Sequence, residues 1–286
     1  MALFRRGIHF GSYGSTDDGT AVFRRLAEGA QAAEEAGFDA ISVPDHVHQN
    51  QIAGGPASPM FEAYTVLGAL AQATSSARLY SLVSPVTLRA PGLLVKAVTT
   101  LDVISGGRAV LGVGAGWDAA EHAAYGIDFP GLGERFDRLE EELDIGREMF
   151  RDERAAFAGR FYTVRDAYNS PRPVNGTIPV LVAGGGEKRT LDLVARYADA
   201  GNFFFEGDLV QARHKFDVLA RHCERIGRDP AEITRTVFAI DTADLRAFEA
   251  TARALAAAGA DGVIVGNPAG AAAIGPLGQV LGEVFG

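Results

Sequence analysis

Four short stretches of this chain carry side chains suited to chemistry, and each follows an apolar run. Asp45-His46 opens the polar stretch PDHVHQNQIAGGPASPM (44–60). An imidazole titrates near neutrality, so His46 is suited to holding or moving a proton. A loop histidine can equally be a residue hydrogen-bonded to backbone, and His48 offers the same chemistry two residues on. SLVSPVTLRAP (81–91) sets a polar Ser81 inside an apolar run, then Leu82 and Val83, and stops at Ser84-Pro85, where proline ends a strand ladder. RAVLGVGAGWD (108–118) places Gly112, Gly114, Ala115 and Gly116 ahead of Trp117, the only tryptophan. Small residues there let backbone approach a flat ligand, and the indole is either a lid over that ligand or core packing. LVAGGGEKRT (181–190) ends an apolar run on Gly184, Gly185 and Gly186 before a helix start. Free N–H groups and a helix dipole make that turn an anion site, or a tight turn with solvated charges, and Lys188, Arg189 and Thr190 follow.

The elements that must carry these residues alternate regularly. Apolar runs at 7–11, 40–43, 79–83, 109–113, 179–183, 202–205, 236–240 and 262–265 read as strands, separated by helical periodicity at 20–36, 61–74, 93–104, 132–150, 188–198, 209–226, 245–258 and 271–285. In the first helix Val22, Leu26, Ala30 and Ala33 share one face and Gly37 supplies the left-handed cap. AGFDAISV, ADAGNFFF and AGADGVIV echo one another as helix-to-strand junctions. Alternating β and α units of this number close most simply into a single (β/α)8 TIM barrel, one domain over residues 1–286. Two connections are too long for minimal links: 44–60 after the second strand, and 151–178 after the fourth strand and its helix, where FAGRFYTV reads as a small hairpin and SPRPVNG as a turn. In such a barrel functional residues lie just past strand C-termini, which is where Asp45, His46, Ser84, Trp117 and the glycines at 184–186 fall.

Composition narrows the function classes. A hydrophobic content of 47% against 22% charged residues suits an enzyme with a large core, and no apolar run reaches the ~18 residues of a membrane span. The N-terminus lacks the pattern of a signal peptide, so a cytoplasmic protein is expected. A net charge of −9 argues against nucleic-acid or anionic-membrane surfaces. The single cysteine, Cys223, can make neither an internal disulfide nor a thiolate metal site. No metal is expected, because no His/Asp/Glu group has ligand spacing in the sequence, and there is no Walker loop or nucleophile elbow. His9, inside the first strand, reads as a satisfied barrel histidine. Arg89 reads equally as an ion-pair partner or a cofactor ligand, and Glu121 with His122 as supports of the long loop after Trp117.

The motif order TLD-x-x-S-x-GR, LG-x-G-x-GW, EH-x-AYG and FP, at 100–130, resembles the luciferase-like monooxygenase superfamily, and in particular its deazaflavin-using branch. That resemblance implies a hydride transfer between coenzyme F(420) and a small organic substrate. It makes His46 the catalytic histidine and gives Trp117 the substrate side. It implies a bulge with a non-proline cis peptide near Ser81 and Leu82 pressing on the cofactor ring, with Ser84 near the ring's redox edge and Asp45, Gly114 and Ala115 beside it. Gly184, Gly185 and Gly186 would take the ribityl phosphate, and Lys188 with Arg189 would reach a polyglutamate tail. Two departures bear on the substrate: where related sugar-phosphate dehydrogenases have a tryptophan and a glutamate, this chain has Asn50 and Trp117. The resemblance also implies a homodimer and a partner reductase that regenerates reduced cofactor. Within the superfamily the alternative is an FMN-dependent monooxygenase. From a different class comes an S-adenosylmethionine-dependent methyltransferase, since RAVLGVGAGWD also looks like a nucleotide-binding strand and turn, although such a turn belongs after a domain's first strand.

Overall fold

The computed structural model describes residues 2–14, 18–239, 242–266 and 271–286. The chain opens with β1 (Arg6–His9), α1 (Gly19–Glu35), β2 (Ala40–Val43), α2 (Ala63–Ala73), β3 (Arg78–Ser81), β4 (Ser84–Pro85), α3 (Pro91–Ser105) and β5 (Leu111–Gly114). It continues with α4 (Ala119–Ala124), α5 (Leu132–Arg151), β6 (Arg154–Ala158), β7 (Thr163–Tyr168), β8 (Val180–Ala183), α6 (Thr190–Tyr197) and β9 (Ala200–Phe204). It ends with α7 (Leu209–Ile226), β10 (Thr234–Ala239), α8 (Leu245–Ala258), β11 (Gly262–Gly266) and α9 (Ile274–Phe285).

Nine strands form one parallel sheet in the order β3-β2-β1-β11-β10-β9-β8-β5-β4. β3 and β4 are the two halves of one barrel strand, parted at the cis peptide bond Leu82–Val83. The sheet closes on itself where Leu79 bridges Ala109, with Leu79 N–H donating to Arg108 O at 3.0 Å and Val110 N–H to Leu79 O at 3.1 Å. Eight strand positions, each followed by helix, make a (β/α)8 barrel. Closure excludes the open doubly wound sheet that a methyltransferase or dinucleotide-binding reading requires. The glycine turn after β5 is a mid-barrel strand end and not the first turn of such a domain.

Two apolar populations hold the barrel. Phe4, Ala40, Tyr80, Val110, Leu181, Ala200, Phe238 and Ile264 fill its interior, and the outer strand faces pack against the helices. In α1, Val22, Leu26, Ala30 and Ala33 bury against the sheet, and Gly37 (φ +85°) turns the chain while Phe38 N–H returns to Ala33 O at 3.0 Å. At the N-terminal ends of α7 and α8, the side chains of Asp208 and Asp244 accept the first free amides.

Several boundaries differ from the sequence reading. The third strand is interrupted rather than continuous over 79–83, and the cis bond lies one peptide past the expected place near Ser81 and Leu82. The helix expected at 188–198 begins at Thr190 as α6, so Lys188 and Arg189 sit in the preceding turn. The short helix α4 is additional. The hairpin expected from FAGRFYTV is present as β6 and β7, antiparallel with Ala158 opposite Thr163. The seventh strand ends at Ala239; Ile240, expected as its last residue, lies outside the described residues.

Candidate active site at the C-terminal rim

The C-terminal strand ends surround a pocket of about 400 Å³. β2 delivers Asp45 and His46, the β3–β4 junction Leu82 and Val83, β5 Gly114 and Ala115, and β8 Ala183 with Gly184. The loop after β5 adds Trp117, and Gly186 closes the side toward α6. Of the residues singled out from sequence, Asp45, His46, Leu82, Gly114, Ala115, Trp117, Gly184 and Gly186 share this space. Ser81, Ser84, Gly185, Lys188 and Arg189 are not part of its wall.

His46 is held rather than merely present. Its Nδ1 lies 2.9 Å from Glu121 Oε2, while Val47 N–H donates to Glu121 Oε1 at 2.6 Å and His48 N–H reaches the same oxygen at 3.4 Å. Glu121 is fully buried. Burial opposes its charge, but the hydrogen bonds from His46 and from these amides outweigh it and hold the carboxyl below its ordinary value. Burial likewise opposes a charged His46, and Glu121, Asp118 and Asp45 outweigh it, raising the imidazole above its ordinary value. With a carboxylate on Nδ1, that nitrogen carries the proton, and Nε2 is the atom left to exchange one with a ligand. The indole of Trp117 stands edge-on to His46 with ring centres 5.6 Å apart, and Trp117 is 60% exposed, which makes it pocket wall and not core.

Behind His46 lies a second polar layer. Asp45 accepts from Ser84 Oγ at 2.6 Å and forms a short ion pair with Arg89, whose other nitrogen reaches Glu62 at 2.6 Å. Tyr64 Oη sits 2.8 Å from Ser84 Oγ. Arg89 is therefore a structural ion-pair partner, and the Ser84 hydroxyl faces Asp45 and Tyr64 instead of the pocket. Glu142, on α5, is buried, and neither of its carboxyl oxygens finds a partner among the described residues. Burial, with help from Asp45, pushes its carboxyl up to about 8. His9 has the satisfied role: its Nδ1 lies 3.0 Å from Ser42 Oγ, and burial with the nearby His46 charge drives it down to about 3.

The glycine turn after β8 differs in detail from expectation. Gly184 takes φ +125°, a conformation that glycine alone adopts readily, and a Cβ on Gly186 would meet Thr190 Oγ1 at 2.9 Å. Arg189 points away, paired with Asp137 at 2.7 Å and stacked 5.5 Å from the Phe136 ring. Lys188 is exposed in the turn.

Three features escaped sequence reasoning. Asn202, on β9, lines the pocket with its Nδ2 unpartnered among the described residues, while Thr236 Oγ1 sits 3.0 Å from its Oδ1. Phe204 adds an exposed aromatic wall two residues on. A polar residue in the apolar run 202–205 was the available signal for Asn202. Finally, His46, Asp118 and Glu121 offer ligand atoms within 4.8 Å of one another, a group that sequence spacing did not reveal. Glu121 is already engaged by His46 and two amides, so a cation there would have to displace the contact that orients His46.

Comparison with known proteins agrees with this architecture. The luciferase-like monooxygenase family profile matches residues 4–275. An F(420)-dependent glucose-6-phosphate dehydrogenase from Segniliparus rotundus is 32% identical over 221 residues, covering 75% of this chain; the chain spans only 63% of that relative's length. Among solved structures, an F(420)-dependent secondary alcohol dehydrogenase holding an F(420)–acetone adduct superposes with a TM-score of 0.82 at 18% identity, covering 98% of this chain and 99% of its own. The oxygenating constituent of 3,6-diketocamphane monooxygenase from Pseudomonas putida, in complex with FMN, gives 0.67 at 19% identity over 87% of this chain and 71% of its own. At such identities the two structures speak for the fold alone. The family profile covers nearly the whole chain, barrel and rim together, and the protein therefore belongs to the luciferase-like monooxygenase family.

Proposed function

We propose that the protein is an oxidoreductase that transfers a hydride between coenzyme F(420) and a small organic substrate. The observation that carries this reading is that a carboxylate-oriented histidine and a backbone turn suited to anions face one apolar pocket. The pocket fits the group. Leu82, Val83, Gly114, Ala115 and Ala183 make a smooth apolar wall, the unpartnered Asn202 amide offers a hydrogen bond to a polar ring edge, and Gly184, whose own N–H is given to Asn202 O at 2.9 Å, leaves room with Gly186 for a phosphate at the turn. Lys188 is the residue for an anionic tail, and Ser81 and Ser84 shape the strand junction from behind. When bound, the deazaflavin supplies a carrier for two electrons as hydride.

The chain's own contribution is proton handling and exclusion of water. In the oxidative direction His46 Nε2 accepts the hydroxyl proton as the substrate's C–H leaves; in the reductive direction it returns that proton to the carbonyl oxygen. Glu121 keeps the imidazole in the one tautomer that permits this. Trp117 covers the reacting end, and Asp45, fixed by Arg89 and Ser84, anchors the start of the histidine loop.

The choice of F(420) over FMN rests on the motif set between 100 and 130 and on the named activity of the S. rotundus relative. Tryptophan fluorescence tests it directly, since Trp117 is the only tryptophan and stands in the pocket. F(420) is expected to bind at least tenfold more tightly than FMN, a preference of ~1.4 kcal/mol. Equal or reversed affinities move the reading to an FMN-dependent monooxygenase supplied by a partner reductase. The proposal extends to one domain over 1–286, a cytoplasmic location and a homodimer. No helix among the described residues is long and apolar enough to cross a membrane, and exposed Leu93 and Ile104 on α3 offer an apolar face for a second copy.

A further inference from the structure

We infer that Lys215, on α7, is the cation that receives the cofactor's phosphate, and that the Glu187 carboxylate holds its ammonium until that phosphate arrives. This deepens the cofactor reading and rests on its placing of a phosphate at the 184–186 turn. The turn has donors to offer. Gly184 N–H is given to Asn202 O, but the N–H groups of Gly185 and Gly186 donate to nothing among the described residues. Lys215 lies against them from the side of α7, since a Cβ on Gly185 would stand 3.8 Å from its Cε. Its ammonium is 2.7 Å from Glu187 Oε1, and His214 Nε2 is 3.2 Å from the same oxygen.

Two donors converge on one carboxylate oxygen at the edge of a turn with free amides, and that oxygen can spare one of them. The Lys215 side chain is 21% exposed and that of Glu187 43%, so water competes for the pair and it opens at small cost. The hydrogen bond from Lys215 holds the Glu187 carboxyl below its ordinary value, so the group that keeps the lysine is charged. When Lys215 leaves, His214 remains beside Glu187, and rotation about the last bonds of the lysine stem carries Nζ without moving α7. The Glu187 backbone stays where it is, because its carbonyl accepts from His222 Nε2 at 2.8 Å. A phosphate at the turn offers more acceptor oxygens than a carboxylate and meets the two amides as well. The neighbouring cations are placed differently. Arg189 is paired with Asp137 at 2.7 Å, and Lys188 is exposed in the turn, with no contact among the described residues that aims it at Gly185 or Gly186.

The test reads the gain in affinity that a phosphate confers, by tryptophan fluorescence, on two ligand pairs. FMN and riboflavin differ in the phosphate alone; F(420) and its phosphate-free ribityl deazaflavin form the second pair. Lys215→Met should cut the gain about tenfold, the loss of one charge-assisted hydrogen bond, and Lys215→Arg should retain most of it. Glu187→Gln should enlarge the gain about threefold, by removing an exposed competitor for the ammonium. Affinities for riboflavin and the phosphate-free deazaflavin should not change, which reports an intact ring pocket. An ion pair that only braced the turn would be broken by either variant, so a gain reduced in both Lys215→Met and Glu187→Gln overturns the inference. A gain untouched by Lys215→Met also overturns it, as does one lost instead in Lys188→Ala, which would make Lys188 the phosphate's cation. The cofactor reading is judged separately, by F(420) against FMN in the parent protein. Equal affinities with opposite effects of the two variants strike that reading and leave Lys215 in its role. A strong preference for F(420) with a gain that neither variant moves does the reverse. No gain from phosphate in either pair would mean that the turn takes no phosphate, and both would fall.

Discussion

His46 and His48 are two residues apart and chemically alike, yet their surroundings separate their roles. His46 Nδ1 is held by buried Glu121, whereas His48 Nδ1 rests on the Gln49 carbonyl at 3.1 Å and its ring lies against Tyr125, centres 5.8 Å apart. His46→Ala should slow hydride transfer about 10²–10⁴-fold, the usual contribution of a positioned acid–base group, and leave F(420) affinity within a few-fold. His48→Ala should change neither the rate nor the cofactor affinity. Single-turnover absorbance of the cofactor reads both, and a dead His48→Ala beside a normal His46→Ala would remove the assignment. On the proposed reading Glu121 acts through His46 and is a positioning residue. The oxidative direction of the proposed reaction needs neutral His46, so the rate should rise with pH through the raised imidazole value. Glu121→Gln removes the carboxylate that raises it, and the rising limb should move to lower pH along with a fall in kcat. A limb that stays in place would mean that another group titrates.

At the scale of elements, the barrel closes where β5 meets β3, and Gly112 is the residue that permits the approach. A Cβ there would lie 2.1 Å from the Ser81 carbonyl oxygen, a backbone atom that cannot swing aside. Gly112→Ala should destabilise the protein by about 3 kcal/mol or more, at the upper end of overpacking costs, and should disturb the pocket, since Leu82 follows Ser81. Gly68 offers the contrasting case. It lies inside α2, and a Cβ on it would meet nothing within 4 Å. Gly68→Ala should stabilise by about 0.5–1 kcal/mol through helix propensity. Denaturant midpoints of the two variants should move in opposite directions; shifts of one sign would contradict the close approach at β5.

For the whole molecule, two buried groups set opposing pH dependences. His9 is held down at about 3 against an ordinary 6.5, so it is neutral in the folded state and charged on unfolding in acid. Its contribution is complete above 6.5 and is lost as pH falls toward 3. Glu142 is pushed up to about 8 against an ordinary 4.5, so the folded protein keeps a proton that the unfolded chain releases. Stability accordingly falls as pH rises from 4.5 to about 8 and levels off above that value. Glu142→Gln keeps the shape and removes the titration. Its Tm relative to the parent should be higher above pH 8 than below pH 4.5, by calorimetry. An offset that is equal at the two pH values would show that Glu142 ionises normally in the folded state.

The parts of this protein legible in the sequence are those governed by neighbours along the chain. Helix faces such as Val22, Leu26, Ala30 and Ala33, the glycine at 37, the hairpin over 154–168 and the placement of Asp45-His46 at a strand end all follow from periodicity and local backbone preference. The barrel itself follows from the number and alternation of those units. What escaped is what closure brings together across the chain. Glu121 reaches His46 over 75 residues, Asn202 and Phe204 join them from β9, and Asp118 completes a cluster that no spacing announced. Ser84 and Arg89 turn to Asp45, and Arg189 turns to Asp137, because a buried or half-buried polar group takes the nearest partner that replaces water. The residue types capable of chemistry were thus written in the order of amino acids. Which of them share one pocket, and in which protonation state, was set by strand pairing and burial, since distance and desolvation exist only once the barrel has closed.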